Sequence, residues 1–233
     1  MTVLSIVIPA YNEERFIGTL LERIRAVDLR PQGFETEIIV VDDCSKDGTV
    51  EAVRRCPDVI LCRHERNGGK GRAVRTGIER ATGDYVMIQD ADLEYDPQDY
   101  VPMVEMLRSG RADVVYGSRY TNGLVGSKHA QQSWAAYLGG RSLSLAALMC
   151  TGRYLTDTVT ALKLYPRALL NELDLQTTGF ELDHEMTSKV LARGRRIFEV
   201  PIRYFPRSRE EGKKIGAKDW VRGLRTFWTY RRG

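Results

Sequence analysis

Leu4-Ser5-Ile6-Val7-Ile8 and Glu37-Ile38-Ile39-Val40-Val41 are nearly unbroken apolar runs rich in β-branched residues, and their reading decides the fold. A strand that buries one face alternates apolar with polar residues. A continuous run buries both faces, as in a parallel sheet covered by helices on each side. Val59–Cys62, Tyr85–Ile88 and Asp113–Tyr116 read as further strands. Between the first two lies NEERFIGTLLERIRAV, where Phe16, Leu20, Ile24 and Val27 share a helical face. Asn12 stands where a cap is expected, and Glu13 and Glu14 suit the positive end of the helix. Lys70–Arg80 and Gln98–Arg108 read as later helices, the second opened by Asp96-Pro97. Alternating strands and helices predict an α/β fold with a mostly parallel sheet flanked by helices. Ligands of such sheets bind beyond the carboxyl ends of the strands.

Composition narrows the class. The 233 residues are 42% hydrophobic and 28% charged, the balance of an ordinary globular protein and unlike a disordered or collagenous chain. No apolar run reaches the roughly 20 residues of a membrane-spanning helix. The nearest, Trp134–Cys150, is broken by Gly139, Gly140 and Arg141. The N-terminus lacks the basic region of a secretion signal. Cys44, Cys56, Cys62 and Cys150 show no metal or CxxC spacing, so they read as reduced thiols of a cytoplasmic protein. The net charge is +4, unevenly placed: Arg195–Gly233 holds 12 Lys/Arg against 4 Asp/Glu. A basic end on an acidic body points to an anionic partner. Nucleic acid is set aside, because no helix-turn-helix, zinc finger or RNA-binding aromatic motif accompanies the charge.

Polar clusters follow the first, second and fourth predicted strands, at Pro9–Glu13, Asp42–Thr49 and Gln89–Pro97. In Gln89-Asp90-Ala91-Asp92-Leu93-Glu94, carboxylates two residues apart in extended chain point the same way and can share a hard cation. The plainer reading is a solvated turn. Asn67-Gly68-Gly69-Lys70-Gly71-Arg72 opens a helix and can present backbone N–H groups and a lysine to an anion. It is neither a Walker A loop, which needs Gly at His64 and Ser/Thr at Gly71, nor GxGxxG, which needs Gly at Val74. Asp42-Asp43-Cys44-Ser45-Lys46-Asp47 places a carboxylate where a ribose or base would be held, or makes a turn and caps the next helix.

Taken in order, IVIPAYNEE, VVDDCSKDGT, NGGKG and DAD resemble the family 2 glycosyltransferases of the GT-A fold. Gly117–Tyr120, Leu138–Arg141, Asp157–Lys163, Gly179–Glu185, Glu199–Pro201 and Arg207–Lys214 continue the likeness into the dolichol- and polyprenyl-phosphate mannose (or glucose) synthase branch, over about Ser5 to Arg225. Ala161 and Gly140 depart from that branch, where Gly and Asn are frequent. The resemblance implies that Pro9, Tyr11, Glu13 and Asp42 hold the nucleoside, with Lys70 and Asp90 nearer the pyrophosphate. Asp90, Asp92 and Glu94 would hold Mg²⁺ or Mn²⁺, and Arg119, Arg141 and Lys214 would face an acceptor phosphate. It further implies a GT-A catalytic domain over residues 1–215 and an amphipathic basic and aromatic helix over residues 216–233.

The expected activity is metal-dependent, inverting transfer of mannose or glucose from GDP-mannose or UDP-glucose to a polyprenyl or dolichyl phosphate. A phosphate nucleophile is already anionic and needs positioning and charge neutralisation by Arg. A hydroxyl acceptor would need a base, for which Asp157 is preferred over Asp183 and Glu185; its plainer reading is a cap or a partner of a nearby Arg. A nucleotidyltransferase or a non-catalytic nucleotide-sugar-binding protein are the other classes. His64, His129 and His184 share no motif and read as structural or surface residues. Trp220, Phe227 and Trp228 beside Arg222, Arg225 and Arg231 would either face an anionic lipid surface or pack on the domain. A peripheral site on the cytoplasmic membrane face, or a membrane partner subunit, is expected from this.

Overall fold

The computed structural model describes residues 1–120, 134–206 and 217–232. Seven strands form one sheet: β1 (Thr2–Ala10), β2 (Phe34–Asp42), β3 (Val59–Arg63), β4 (Tyr85–Ile88), β5 (Val114–Ser118), β6 (Lys163–Pro166) and β7 (Ile197–Pro201), in the order β3-β2-β1-β4-β6-β5-β7. β1 is parallel to β2 and β4, and β5 is parallel to β7; β6 runs antiparallel between β4 and β5. The helices are α1 (Ile17–Arg25), α2 (Thr49–Arg54), α3 (Lys70–Arg80), α4 (Tyr100–Arg108), α5 (Trp134–Thr151), α6 (Arg167–Glu172), α7 (Leu182–Ala192) and α8 (Ala217–Thr229).

The continuous apolar runs serve two cores. Leu4, Ile6, Ile8 and Val40 pack on one side with Leu20, Ile24, Met103 and Val104 of α1 and α4. Val7, Ile39 and Val41 pack on the other with Val74, Ile78, Met186 and Val190 of α3 and α7. Strand period then sends successive side chains into opposite cores.

The strand directions assemble the site. β1, β2, β3, β4, β5 and β7 end at one edge of the sheet. The reversed β6 brings its beginning there, with Lys163 in register with Ile88 and Tyr116. Segments 9–13, 42–49, 64–70, 89–94, 118–120, 156–163 and 201–204 therefore meet on that edge.

One expected cap is absent. α1 starts at Ile17 behind Phe16, with no side-chain cap. Asn12 instead takes the left-handed conformation (φ 55°), which Asn tolerates, and its Oδ1 accepts the Lys46 N–H at 2.9 Å. It fastens the first loop to the second.

α8 packs on α5 and α7. Phe227 is fully buried beside Leu143, Ala146 and Ala147, and its ring lies 4.9 Å from that of His184. Phe227 is therefore not available to a lipid surface. Trp220 donates its Nε1–H to Ser142 Oγ at 2.8 Å, whereas Trp228 is 63% exposed with the Arg231 guanidinium over its ring. α5 also exposes Trp134, Leu138, Leu145 and Met149. Among the described residues no helix is long and apolar enough to cross a membrane.

Candidate active site

The first two loops are laced together by hydrogen bonds. The Asn12 N–H donates to Ser45 Oγ at 2.9 Å and the Glu13 N–H to Thr49 Oγ1 at 2.8 Å. Pro9 and Ala10 pair in register with Val41 and Asp42, so the strand ends that carry Pro9, Tyr11, Glu13 and Asp42 are adjacent. Pro9 and Tyr11 are half-buried and Glu13 is buried. Asp42 is fully buried; its carboxylate accepts the Ser45 N–H at 3.2 Å and faces Arg63 Nε at 3.6 Å.

The glycine turn differs from its sequence reading. Its amides already hold an anion, the carboxylate of Asp43, which accepts the N–H groups of Gly68 at 2.9 Å and Gly69 at 2.7 Å. His64 Nδ1 lies 2.7 Å from the same carboxylate, and His64 Nε2 lies 3.0 Å from Thr76 Oγ1. The glycines serve close approach instead. A Cβ at Gly71 would stand 2.8 Å from the Thr177 oxygen and the Thr178 carbonyl carbon. Gly69 sits at φ 88° against the Thr178 oxygen. The start of α3 is thereby pressed onto the segment before α7, with the Lys70 side chain directed to the site.

Lys70 does so. Its Nζ lies 2.8 Å from Asp90 Oδ1 and 3.5 Å from Asp183 Oδ2. The other oxygen of Asp183 is 2.5 Å from Nζ of Lys163, a lysine with no exposed surface. Burial pushes the Lys163 ammonium below its ordinary pKa against the pull of Asp183. Burial would raise the Asp183 carboxyl, yet Lys163 and Lys70 outweigh it and hold the group below the usual range.

Asp92 and Glu94 flank Leu93, whose φ of 60° makes the turn tight; Asp92 Oδ1 accepts the Glu94 N–H at 3.2 Å. Glu94 Oε2 accepts the Tyr204 hydroxyl at 2.7 Å. Among the described residues no three His, Cys, Asp or Glu side chains gather as a metal-ligand set. The donors nonetheless fit a hard cation. An ammonium already stands at Asp90, and a carboxylate pair can hold a divalent ion whose remaining ligands are phosphate and water.

Arg119 and Asp157 form a bidentate pair, with Nε to Oδ2 at 2.6 Å and Nη2 to Oδ1 at 2.7 Å. The Arg119 backbone N–H adds a third bond at 3.1 Å. The Arg119 guanidinium also lies 4.9 Å from the Tyr204 ring centre. Glu199 holds this turn from beneath: its carboxylate accepts the N–H groups of Thr156 at 2.7 Å and Asp157 at 2.8 Å and the Thr156 hydroxyl at 2.8 Å. Burial lifts the Glu199 carboxyl above its ordinary value despite those bonds. Arg141 of α5 reaches the same turn, donating to the Thr156 carbonyl at 3.3 Å while its guanidinium covers the Tyr154 ring. Arg119 and Arg141 thus meet at residues 156 and 157; Lys214 and His129 lie outside the described residues. Glu185 is enclosed by the Gln176 and Thr177 amides and by Lys189.

Lys163 and Glu199 lie in segments that carry the family likeness, but nothing in those segments marks the two side chains; Tyr204 belongs to no such segment, and Asp43 was legible only as part of a polar loop. Their roles depend on the reversed β6 and on β7, which bring distant segments together.

A profile of the family described as Glycosyl transferase family 2 matches residues 5–173. The chain is 30% identical over 224 residues to the dolichol-phosphate mannosyltransferase of Pyrococcus furiosus, covering 91% of this chain and 59% of that protein. It is 31% identical over 180 residues to the undecaprenyl-phosphate 4-deoxy-4-formamido-L-arabinose transferase of Aeromonas hydrophila, covering 73% and 51%. The chain thus spans between half and three-fifths of the length of these relatives. In fold it is similar to glucosyl-3-phosphoglycerate synthase from Mycobacterium tuberculosis, solved with UDP, at a TM-score of 0.75 and 20% identity over 99% of this chain and 80% of that one. The same protein solved with Mn²⁺, UDP-glucose and phosphoglyceric acid gives 0.73 at 21% identity, over 99% and 80%. With the mostly parallel GT-A sheet and with clusters at its carboxyl edge in the order read from the sequence, this chain belongs to glycosyl transferase family 2.

Proposed function

We propose that the chain transfers a hexosyl group, mannose or glucose, from GDP-mannose or UDP-glucose to a polyprenyl phosphate, inverting the anomeric centre. The observation that carries the acceptor class is the state of the candidate bases. Asp157 is neutralised by Arg119, Asp183 by Lys163 and Lys70, and Glu185 by Lys189 and two amides. A hydroxyl acceptor needs a carboxylate to take its proton; a phosphate oxygen needs none. The names of the relatives favour the same class.

In this reading the acceptor oxygen attacks C1 of the sugar. The bond from C1 to the β-phosphate oxygen breaks, and its electron pair leaves on the nucleoside diphosphate. Mg²⁺ or Mn²⁺ held by Asp90 and Asp92 would neutralise the charge that builds there. Glu94, engaged by Tyr204, braces the turn. Pro9, Tyr11, Glu13 and Asp42 orient the nucleoside. Arg119, made rigid by Asp157, and Arg141 orient the acceptor phosphate, and Lys214 is proposed beside them. Trp228 and the exposed apolar residues of α5, with the arginines of α8, would rest on the anionic surface in which a lipid acceptor lies.

The test is transfer of labelled sugar from each donor to a polyprenyl phosphate, with Mg²⁺ and with chelator. Metal-dependent label in the lipid fraction from one donor, in a β-linkage, is expected. Nucleoside diphosphate release without lipid product would refute the acceptor, and an α-linked product would refute single displacement.

A further inference from the structure

Lys70, Asp90, Asp183 and Lys163 form an alternating chain of charges that the transfer reaction does not by itself require. Asp183 holds one ammonium on each oxygen, Lys163 at 2.5 Å and Lys70 at 3.5 Å, and Lys70 reaches on to Asp90 at 2.8 Å. Lys163 has no exposed surface, while the Asp90 side chain keeps 25% of its own. The inner end is therefore fixed, and the outer end opens to the site. Lys70 cannot withdraw along the backbone. Gly69 and Gly71 are pressed against Thr177–Gly179, and the Arg72 N–H donates to the Thr178 carbonyl at 3.1 Å.

An ammonium 2.8 Å from a carboxylate oxygen occupies a position that a divalent cation would need, and it repels that cation. A nucleoside diphosphate offers the lysine other anionic oxygens. We infer that Lys70 is an internal counter-ion which blocks Asp90 until a nucleoside diphosphate draws it off, so that cation and nucleotide bind together and the cation alone binds weakly. Asp183, itself satisfied by Lys163, is the positioning residue that keeps the lysine within reach of both partners. The inference rests on the reading of Asp90 as a metal ligand.

The test reads Mn²⁺ binding through the electron paramagnetic resonance signal of the free ion, without nucleotide and with GDP or UDP. Wild type, Lys70→Gln, Lys70→Arg and Asp90→Asn are compared, and circular dichroism checks that each is folded. Lys70→Gln is expected to bind Mn²⁺ about tenfold more tightly than wild type without nucleotide. It should also gain less from added nucleotide, and Lys70→Arg, which keeps the charge, should behave as wild type. Nucleotide-free binding by Lys70→Gln no tighter than wild type, while wild type binds with nucleotide and Asp90→Asn does not, would overturn the counter-ion and leave the metal reading standing. Absence of Mn²⁺ binding in every protein, or binding unaffected by Asp90→Asn, would overturn both.

Discussion

Replacing Asp157 by Asn separates a positioning carboxylate from a catalytic base. The Asp157 side chain has no exposed surface and that of Arg119 only 9%; three hydrogen bonds join them. Removing the charge strands a buried guanidinium, which costs about 3–5 kcal/mol when one partner of a buried pair is lost. Asparagine retains the shape and one acceptor, so the lower end, about 3 kcal/mol, is expected. For a chain of this length that lowers Tm by roughly 6–12 °C. Urea unfolding of Asp157→Asn, Arg119→Met and the double variant measures the coupling. The double variant removes the pair as a unit and should lose at least about 2 kcal/mol less than the sum of the singles. Sugar transfer should fall in both single variants, because the arginine loses its fixed orientation in one and is absent in the other. Asp157→Asn with stability within about 0.5 kcal/mol of wild type but with transfer abolished would refute this reasoning and make Asp157 the base.

Other perturbations test the remaining parts. Asp43→Ala leaves the Gly68 and Gly69 amides and His64 without their acceptor and should destabilise by about 2–4 kcal/mol; a change below about 0.5 kcal/mol in urea unfolding would show that the turn is held otherwise. Burial lowers the His184 pKa to about 4, against about 6.5 unfolded. The unfolded chain then binds more protons between these values, so stability is full above pH 6.5 and falls as acid is added, by about 2 kcal/mol between pH 7 and pH 5. His184→Gln should flatten the Tm profile in that window, and an unchanged profile contradicts the assignment. Trp228→Ser should weaken sedimentation with anionic vesicles relative to wild type while leaving Tm within about 2 °C; equal sedimentation would remove α8 from the lipid contact.

β1 and β2 were legible because burial on both faces leaves a one-dimensional mark. LSIVI and EIIVV are apolar for that reason alone, and Lys70–Arg80 and Tyr85–Ile88 coincide with α3 and β4. β6 left no such mark. It is four residues long and begins with a lysine at a fully buried position, which a propensity argument excludes and which stands only because Asp183 neutralises it. α7 buries Asp183, His184, Glu185 and Lys189 together with its apolar residues, so it shows no amphipathic period. The carboxylates and arginines of the site were readable as residue types, and an arginine partner for Asp157 was foreseeable, but which residues pair was not. Asp157 with Arg119, and Asp43 with the glycine turn, are contacts between segments 38 and 25 residues apart.

In the proposed reaction the acceptor is a nucleophile that needs no protein base. The most direct measurement offers the full chain a polyprenyl phosphate and, separately, the matching polyprenol, with labelled GDP-mannose or UDP-glucose and Mg²⁺. Metal-dependent label is expected on the phosphate and none on the alcohol. Label on the alcohol would contradict the proposed reaction, since one of the enclosed carboxylates must then take up a proton.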